Sequence, residues 1–375
     1  MRKAYKYRIN PSKKQESLLE QTLGICCELY NAALQERRDA YKLAAISINY
    51  HAQAVQLPEI KAVRDDLKGI HSQVLQDVLK RLDRAFDAFF RRVENTQKAG
   101  YPRFRSRARY DSFTYTQSGF ETGGDRLFLS KIGHIKIQLH RPIEGTIKTL
   151  TIKRSATGKW YAVFSCEVEP KRLPFTTEAV GADVGLESFA TLSNGDKIPN
   201  PRFYREEEKE LAKAQQKLSK TERKSKERKQ RKRVVARVHE RIAFKRDNFV
   251  HQESRKIINK FGFICVENLM ILNMLKNHCL AKSIADAAWS LFFHCLFYKA
   301  EEAGRQYVEV DPRHTSQDCH RCGHRRTDLK LADRVYHCTN PECLLVIDRD
   351  WNAALNVLAL GLQCVGLRPI EAACL

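Results

Sequence analysis

Two cysteine pairs constrain this chain more than any other feature. Cys319-x-x-Cys322 and Cys338-xxxx-Cys343 stand 15 residues apart. Two short knuckles facing each other supply four thiolates, the tetrahedral set that zinc requires, and a closed set of this kind is structural rather than catalytic. Gly323 after the first knuckle and Pro341 within the second suit the tight turns. The chain has 12 cysteines, but only these four cluster, and paired spacing in a large chain without a secretory leader indicates metal rather than disulfides. His320, His324 and His337 stand nearby as substitute ligands, although four thiolates suffice. One structural Zn2+ on Cys319, Cys322, Cys338 and Cys343 is therefore expected. Arg321, Arg325, Arg326 and Arg334 around it suggest a surface facing nucleic acid.

Charge points the same way. Sixty-six Lys and Arg against 44 Asp and Glu leave +22 over 375 residues. A field of that sign favours a polyanion. No apolar run approaches the roughly 20 residues that cross a bilayer. The first ten residues, Met-Arg-Lys-Ala-Tyr-Lys-Tyr-Arg-Ile-Asn, contain no signal-peptide core. The expectation is a cytoplasmic, nucleoid-associated protein with no membrane partner. The length suggests two or three domains.

Hydrophobic periodicity gives a coarse map. Residues 3–9 alternate like a strand. Asn10-Pro11-Ser12 reads as a helix start with Pro11 in the first turn, followed by Leu18, Leu19, Leu23, Cys26, Leu29, Tyr30 and Ala33 at helical spacing. A second stripe, from Val74 through Leu82, Phe86, Phe89 and Phe90 to Val93, predicts core packing along its whole length. Gly100-Tyr-Pro-Arg-Phe-Arg105 is a loop of interleaved basic and aromatic residues. From there the period is two: Ile135, Ile137 and Leu139, then Leu150 and Ile152, a Thr157-Gly158 turn, and a return from Trp160 to Val168. This predicts an antiparallel β module with helices inserted after its first strand, for which a barrel is one closed form. Pro170 to Thr177 reads as a linker. Residues 205–259 read as one or two long helices, with 14 Lys/Arg against three Glu between Lys217 and Arg246. Such a run is either a solvated face or a phosphate-tracking one. Residues 284–303 are again helical and lead to a strand over Tyr307 to Val310.

Three carboxylate positions stand out. Asp183 lies inside the apolar strand Val180-Gly-Ala-Asp-Val, the first arm of a hairpin. Glu267 ends the buried strand that begins at Phe261. Asp348 and Asp350 open the helix Asp350-Trp-Asn-Ala-Ala-Leu. A buried carboxylate is costly unless paired or bound to metal. Singly, each position fits a salt bridge or a helix cap as well. Together, three converging carboxylates suit two Mg2+ ions and phosphodiester cleavage.

The order Gly-Ala-Asp183-Val-Gly-Leu, Val-Glu267-Asn-Leu, Thr315-Ser-Gln-Asp-Cys319-His-Arg-Cys322 and Asp348-Arg-Asp350-Trp-Asn-Ala-Ala resembles the TnpB family, the OrfB-type proteins encoded by bacterial insertion sequences and related to type V CRISPR effectors. Tyr5-Lys-Tyr-Arg-Ile-Asn-Pro11, Tyr101-Pro-Arg-Phe-Arg105 and His239-Glu-Arg-Ile-Ala-Phe-Lys-Arg246 extend the likeness over nearly the whole chain. The resemblance implies a multidomain α+β and α/β protein. Residues 1–15 and 98–172 would form a wedge-like β-barrel, with 16–97 as its helical recognition insertion. Residues 178–312 and 347–375 would form an RNase H-like RuvC nuclease domain and tail, interrupted at 313–346 by a zinc ribbon that binds target nucleic acid.

It further implies RNA-guided cleavage of double-stranded DNA beside a short transposon-associated motif. The guide would be a noncoding RNA from the transposon end. Catalytic and metal-binding roles would fall on Asp183, Glu267 and Asp350, with two Mg2+ ions, or Mn2+ in their place. Asp350 is preferred to Asp348 because the family's third carboxylate directly precedes the x-Asn-Ala-Ala stretch. Two departures are visible: four residues rather than two within the second knuckle, and His314 where an aromatic residue is common. The alternatives are a nuclease-inactive RNA-guided repressor, against which the intact acidic triad argues, and a transposase that joins strands through the same carboxylates.

Overall fold

A computed structural model describes residues 1–330 and 332–366. The chain divides into two compact units at Glu169–Pro170.

The first unit begins with β1 (Arg2–Asn10) and α1 (Lys13–Ala44). Ser12 caps α1: its hydroxyl accepts from Gln15 N, and the Gln15 side chain accepts from Ser12 N, a reciprocal capping box. Pro11 therefore lies before the cap and not within the first turn, because Ser12 can satisfy an orphan helix donor and proline cannot. Three further helices follow, α2 (Tyr50–Val63), α3 (Asp65–Lys68) and α4 (Ser72–Glu94). The strands β2 (Ser112–Tyr115), β3 (Phe120–Gly123), β4 (Arg126–Leu129), β5 (Gly133–Gln138), β6 (Thr146–Arg154) and β7 (Trp160–Glu167) complete the unit.

All seven strands form one antiparallel sheet in the order β2-β6-β7-β1-β5-β4-β3. Its edge strands, β2 and β3, are consecutive in the chain, so the sheet curls until its edges nearly meet. The Gln73 side-chain oxygen of α4 accepts from Gln117 N and Ser118 N, both at 2.9 Å, and docks the helix on the link between those edges. Val74, Leu75, Val78, Leu79 and Leu82 are buried in the core. The stripe does not stay buried to its end: Phe90 and Val93 are each 51% exposed. Core packing therefore explains the stripe through Leu82 and, in part, Phe86, and not its end.

The second unit opens on residues 170–178, which carry no helix or strand. Then come β8 (Ala179–Val184), β9 (Ser188–Leu192), β10 (Lys197–Pro199), α5 (Phe203–Ser219), α6 (Lys226–Lys260) and β11 (Phe263–Glu267). They are followed by α7 (Ile271–Met274), α8 (Ala281–Ala287), α9 (Trp289–Ala303), β12 (Gln306–Val310), β13 (Val335–His337), β14 (Val346–Asp348) and α10 (Arg349–Cys364). The central sheet runs β10-β9-β8-β11-β12, with β8, β11 and β12 mutually parallel and β9 antiparallel to both of its neighbours.

Strand periodicity sorts this sheet's two faces. Val180, Ala182, Val184, Ile264 and Val266 join one core with α6 and α9 residues. Phe263, Cys265 and Val310 pack on the other face with Val357 of α10. In the basic run, Arg246 forms a half-buried pair with Asp286, while Arg241 and Lys245 bridge to Glu206, Glu207 and Glu210 of α5. The end of the run is thus committed inside the unit.

Glycine sets how closely α10 approaches. A Cβ on Gly181 would lie 2.6 Å from Leu358 N and nearer still to the Ala354 carbonyl oxygen. No rotamer relieves a clash with backbone. Gly181→Ala is therefore expected to destabilise this unit by roughly 1–3 kcal/mol, measured by denaturant unfolding. An unchanged midpoint would contradict the close contact.

Candidate active site

The Gly181 contact has a geometric consequence. Cys265 pairs with Gly181 and Val266 with Ala182 across the parallel β8–β11 ladder. Asp183 and Glu267 are the next residues on each strand, and both fall on the α10 face with Gly181 and Cys265. Asp183 stands two strand residues, about 7 Å, beyond Gly181. Asp350 stands four helix residues, about 6 Å, before Ala354. Because α10 approaches Gly181 through Ala354 and Leu358, its first turn comes up beside Asp183.

The charges of Glu267 and Asp350 both act on Asp183. Burial pushes the Asp183 acid well above its usual range, and the Glu267 and Asp350 carboxylates push it further. Glu267 is also raised by burial, partly opposed by the Thr315 hydroxyl. Asp350 is raised by burial and by Asp348, while Arg334, Lys197 and Arg349 pull the other way. Among the described residues none of the three carboxylates is in an ion pair. Asp348 behaves differently. It caps α10 by accepting from Trp351 N at 3.0 Å, and its other oxygen pairs with Lys197 at 2.7 Å. Asp348 is thus occupied as a cap, and Asp350, which has no such partner among the described residues, acts on Asp183.

Uncompensated like charges at one sheet end suit a divalent cation, which reverses the local penalty on ionisation. Among the described residues, only the four cysteines bring three or more candidate ligand atoms within 4.8 Å of one another. The three carboxylates are spaced more widely than that.

The four thiols fit a different ion. Cys319 and Cys343 sulfurs lie 3.8 Å apart, and Cys322 and Cys338 sulfurs 3.5 Å apart. A tetrahedron with Zn–S bonds of about 2.3 Å has edges of about 3.8 Å. These separations are much too long for a disulfide. Burial pushes the Cys319 thiol up to about 12, while the His324 backbone N–H holds Cys322 down to about 7. The antiparallel pair β13–β14 frames the second knuckle.

Sequence reasoning did not assign the residues that join the two sites. Thr315 is buried, and its hydroxyl lies 2.6 Å from Glu267 Oε1. Asn356 Nδ2 donates to the Thr315 and Asp318 carbonyls, each at 2.7 Å. The fully buried Asn352 donates to the Asp318 carbonyl at 2.8 Å and accepts from His320 N at 3.0 Å. Two asparagines one helical turn apart on α10 thus clamp the segment entering the first knuckle. The signal for this in the sequence is their i, i+4 spacing, which sets two polar side chains together on α10, apart from the face that carries Ala354 and Leu358. Thr315→Val would remove the donor that favours ionised Glu267, and Mn2+ affinity at the carboxylates should fall about 10–100-fold. Thr315→Ser should restore it. Calorimetric titration reads this directly, and unaltered affinity in Thr315→Val would refute the role.

Comparison with known proteins adds independent findings. Residues 163–278 match the OrfB_IS605 family, described as "Probable transposase". Residues 289–357 match the "Cas12f1-like, TNB domain". Residues 1–44 match a family described as "Helix-turn-helix domain", although that span here holds β1 and one uninterrupted helix. A Streptomyces pristinaespiralis protein, provisionally named an RNA-guided DNA endonuclease, is 36% identical over 98% of this chain and 92% of its own length. Escherichia coli K12 InsQ, named in the same provisional way, is 30% identical over 96% of this chain and 92% of its own length. The cryo-EM structure of a Cas12f1–sgRNA–target DNA complex overlays loosely, with TM-score 0.38 and 16% identity over 96% of this chain and 99% of that one.

Proposed function

The chain belongs to the TnpB family of OrfB-type transposon proteins, and we propose that it is an RNA-guided, Mg2+-dependent endonuclease that cuts double-stranded DNA beside a short transposon-associated motif. One observation carries the catalytic reading. Asp183 and Glu267 stand level on adjacent parallel strands and face a helix whose first turn holds Asp350. Three antiparallel strands followed by two parallel ones is also the strand order of an RNase H-like domain, which supports a RuvC nuclease in residues 178–312 and from 347 to 366; the expected tail over 367–375 lies outside the described residues. The thiol geometry supports a zinc ribbon within 313–346. The curled seven-stranded sheet supports a wedge-like barrel of 1–15 and 98–172 around a recognition insertion of 16–97.

Asp183, Glu267 and Asp350 would hold two Mg2+ ions, which supply Lewis acidity to the attacking and leaving oxygens of an in-line phosphodiester displacement. Thr315 fixes the Glu267 carboxylate, and the Asn352–Asn356 clamp fixes α10 against the cysteine module. Sequence reading belongs to base pairing with a guide RNA, leaving the protein to bind backbone and helix shape. The +22 charge serves both strands. The burial of all three carboxylates, none in an ion pair among the described residues, and the repulsion of Asp183 by the other two favour an active nuclease over a binding-only repressor.

The test is to purify the protein from cells carrying its native flanking DNA and to sequence the RNA that accompanies it. One discrete RNA from the flank of its own gene is expected. Heterogeneous cellular RNA alone would remove the RNA-guided reading.

A further inference from the structure

We propose that Tyr101 and Phe104 form a stacking shelf for one unpaired base of a single-stranded nucleic acid. The proposal rests on the nucleic-acid reading above and gives it a specific site in the first unit. The loop from Gly100 to Arg105 has no helix or strand, yet it is firmly held. Asn31 of α1 pairs with both backbone groups of Arg105, accepting from its N at 2.8 Å and donating to its carbonyl at 2.9 Å. The Tyr101 ring is wedged edge-on against Phe86 and Phe89 of α4, each with a centroid separation of 5.5 Å.

Two aromatic side chains on this anchored loop nevertheless face solvent: Tyr101 is 43% exposed and Phe104 48%. They border a cavity of about 440 Å3 lined by Leu34, Arg38, Tyr101, Pro102, Arg103 and Phe104. Packing holds one edge of Tyr101 but leaves both rings partly in solvent, and exposed aromatic surface beside a cavity suits an interaction site.

Charge identifies the occupant. The Arg38 guanidinium carbon lies 5.3 Å from the centre of the Phe104 ring, so a cation and an aromatic face stand together. Residues 91–109 hold seven arginines and lysines against one glutamate. An apolar peptide would use the rings but make no use of the arginines and lysines around them. A duplex keeps its bases stacked on one another and out of reach. An unpaired base uses both features, with its plane on a ring and its flanking phosphates on the arginines. The cavity falls within the roughly 300–1,000 Å3 range of small-ligand sites.

The experiment uses the full chain, stripped of cellular RNA by high salt and assayed without added divalent ions. The probes are short RNA and DNA single strands carrying 2-aminopurine, and a DNA duplex. Phe104→Leu keeps the apolar bulk and removes the ring. It should weaken single-strand binding about 5- to 100-fold, reduce 2-aminopurine quenching, and leave duplex binding and the salt slope unchanged. Phe104→Tyr should bind as the wild type does. A larger loss on RNA assigns the base to a guide, and a larger loss on DNA assigns it to an opened target strand. Wild-type affinity and quenching in both Phe104→Leu and Tyr101→Leu would overturn the shelf while leaving the nuclease reading intact. A wild-type protein that binds no single strand would overturn both.

Discussion

Asp183→Asn should reduce DNA cleavage by at least about 10³-fold and, in protein free of divalent ions, raise thermal stability at neutral pH. The two effects have one cause. The folded protein holds the Asp183 acid well above its usual value near 3.8, through burial, Glu267 and Asp350. Between that value and the raised one, the folded state keeps a proton that the unfolded chain has released. Stability therefore falls as pH rises through this window. Asparagine removes the penalty, so the variant's advantage should vanish below about pH 4 and grow upward from there. Added Mg2+ should raise the wild-type Tm by binding the native state, and should raise the variant's far less. Nucleic-acid binding should survive in both. A variant less stable than wild type at neutral pH without divalent ions would mean that Asp183 already has a partner, and the metal-site reading would fail.

The second large effect is expected at the cysteines. Cys319→Ser with Cys322→Ser should take bound zinc from one ion per chain to none and cost several kcal/mol of stability in the second unit. Cleavage should fall with it, by about 100-fold or more, because the disturbance is not confined to the knuckle. Asn352 and Asn356 bind the carbonyls of Thr315 and Asp318 just ahead of Cys319, and Thr315 holds Glu267. Loosening that segment frees one carboxylate and the helix that carries another. Cys364→Ser, at an exposed thiol outside the cluster, should change neither zinc content nor cleavage. Unaltered zinc in the double variant would remove the proposed ligand set.

What was legible in the sequence follows from periodicity and ligand chemistry. The alternation in β1, β5, β6 and β7 marks half-buried strands, and the cysteine spacing announces a four-thiol cluster, because both signals are local. Asp183 and Glu267 are conspicuous because carboxylates inside apolar strands need a reason to be there. The short strands β2, β3 and β4 were not read, since four-residue segments carry too little alternation. The Asp348–Asp350 choice was open on residues alone. Lys197, 151 positions away, pairs with Asp348, and that non-local contact supports the proposed role of Asp350. The role of Gly181 is equally non-local, because it depends on which backbone crosses it. At the end of α4 the stripe misleads: Phe90 and Val93 obey helical spacing but are each 51% exposed among the described residues.

The most direct measurement gives the purified protein a synthetic guide RNA built on the co-purifying scaffold and a plasmid library. Each plasmid carries the matching target flanked by randomised bases, and the broken ends are sequenced with and without Mg2+. Mg2+-dependent breaks are expected only at the matched target, confined to one short flanking motif, and none with Asp183→Asn. Breaks that ignore the guide, joined strands in place of broken ends, or cutting that survives Asp183→Asn would contradict that expectation.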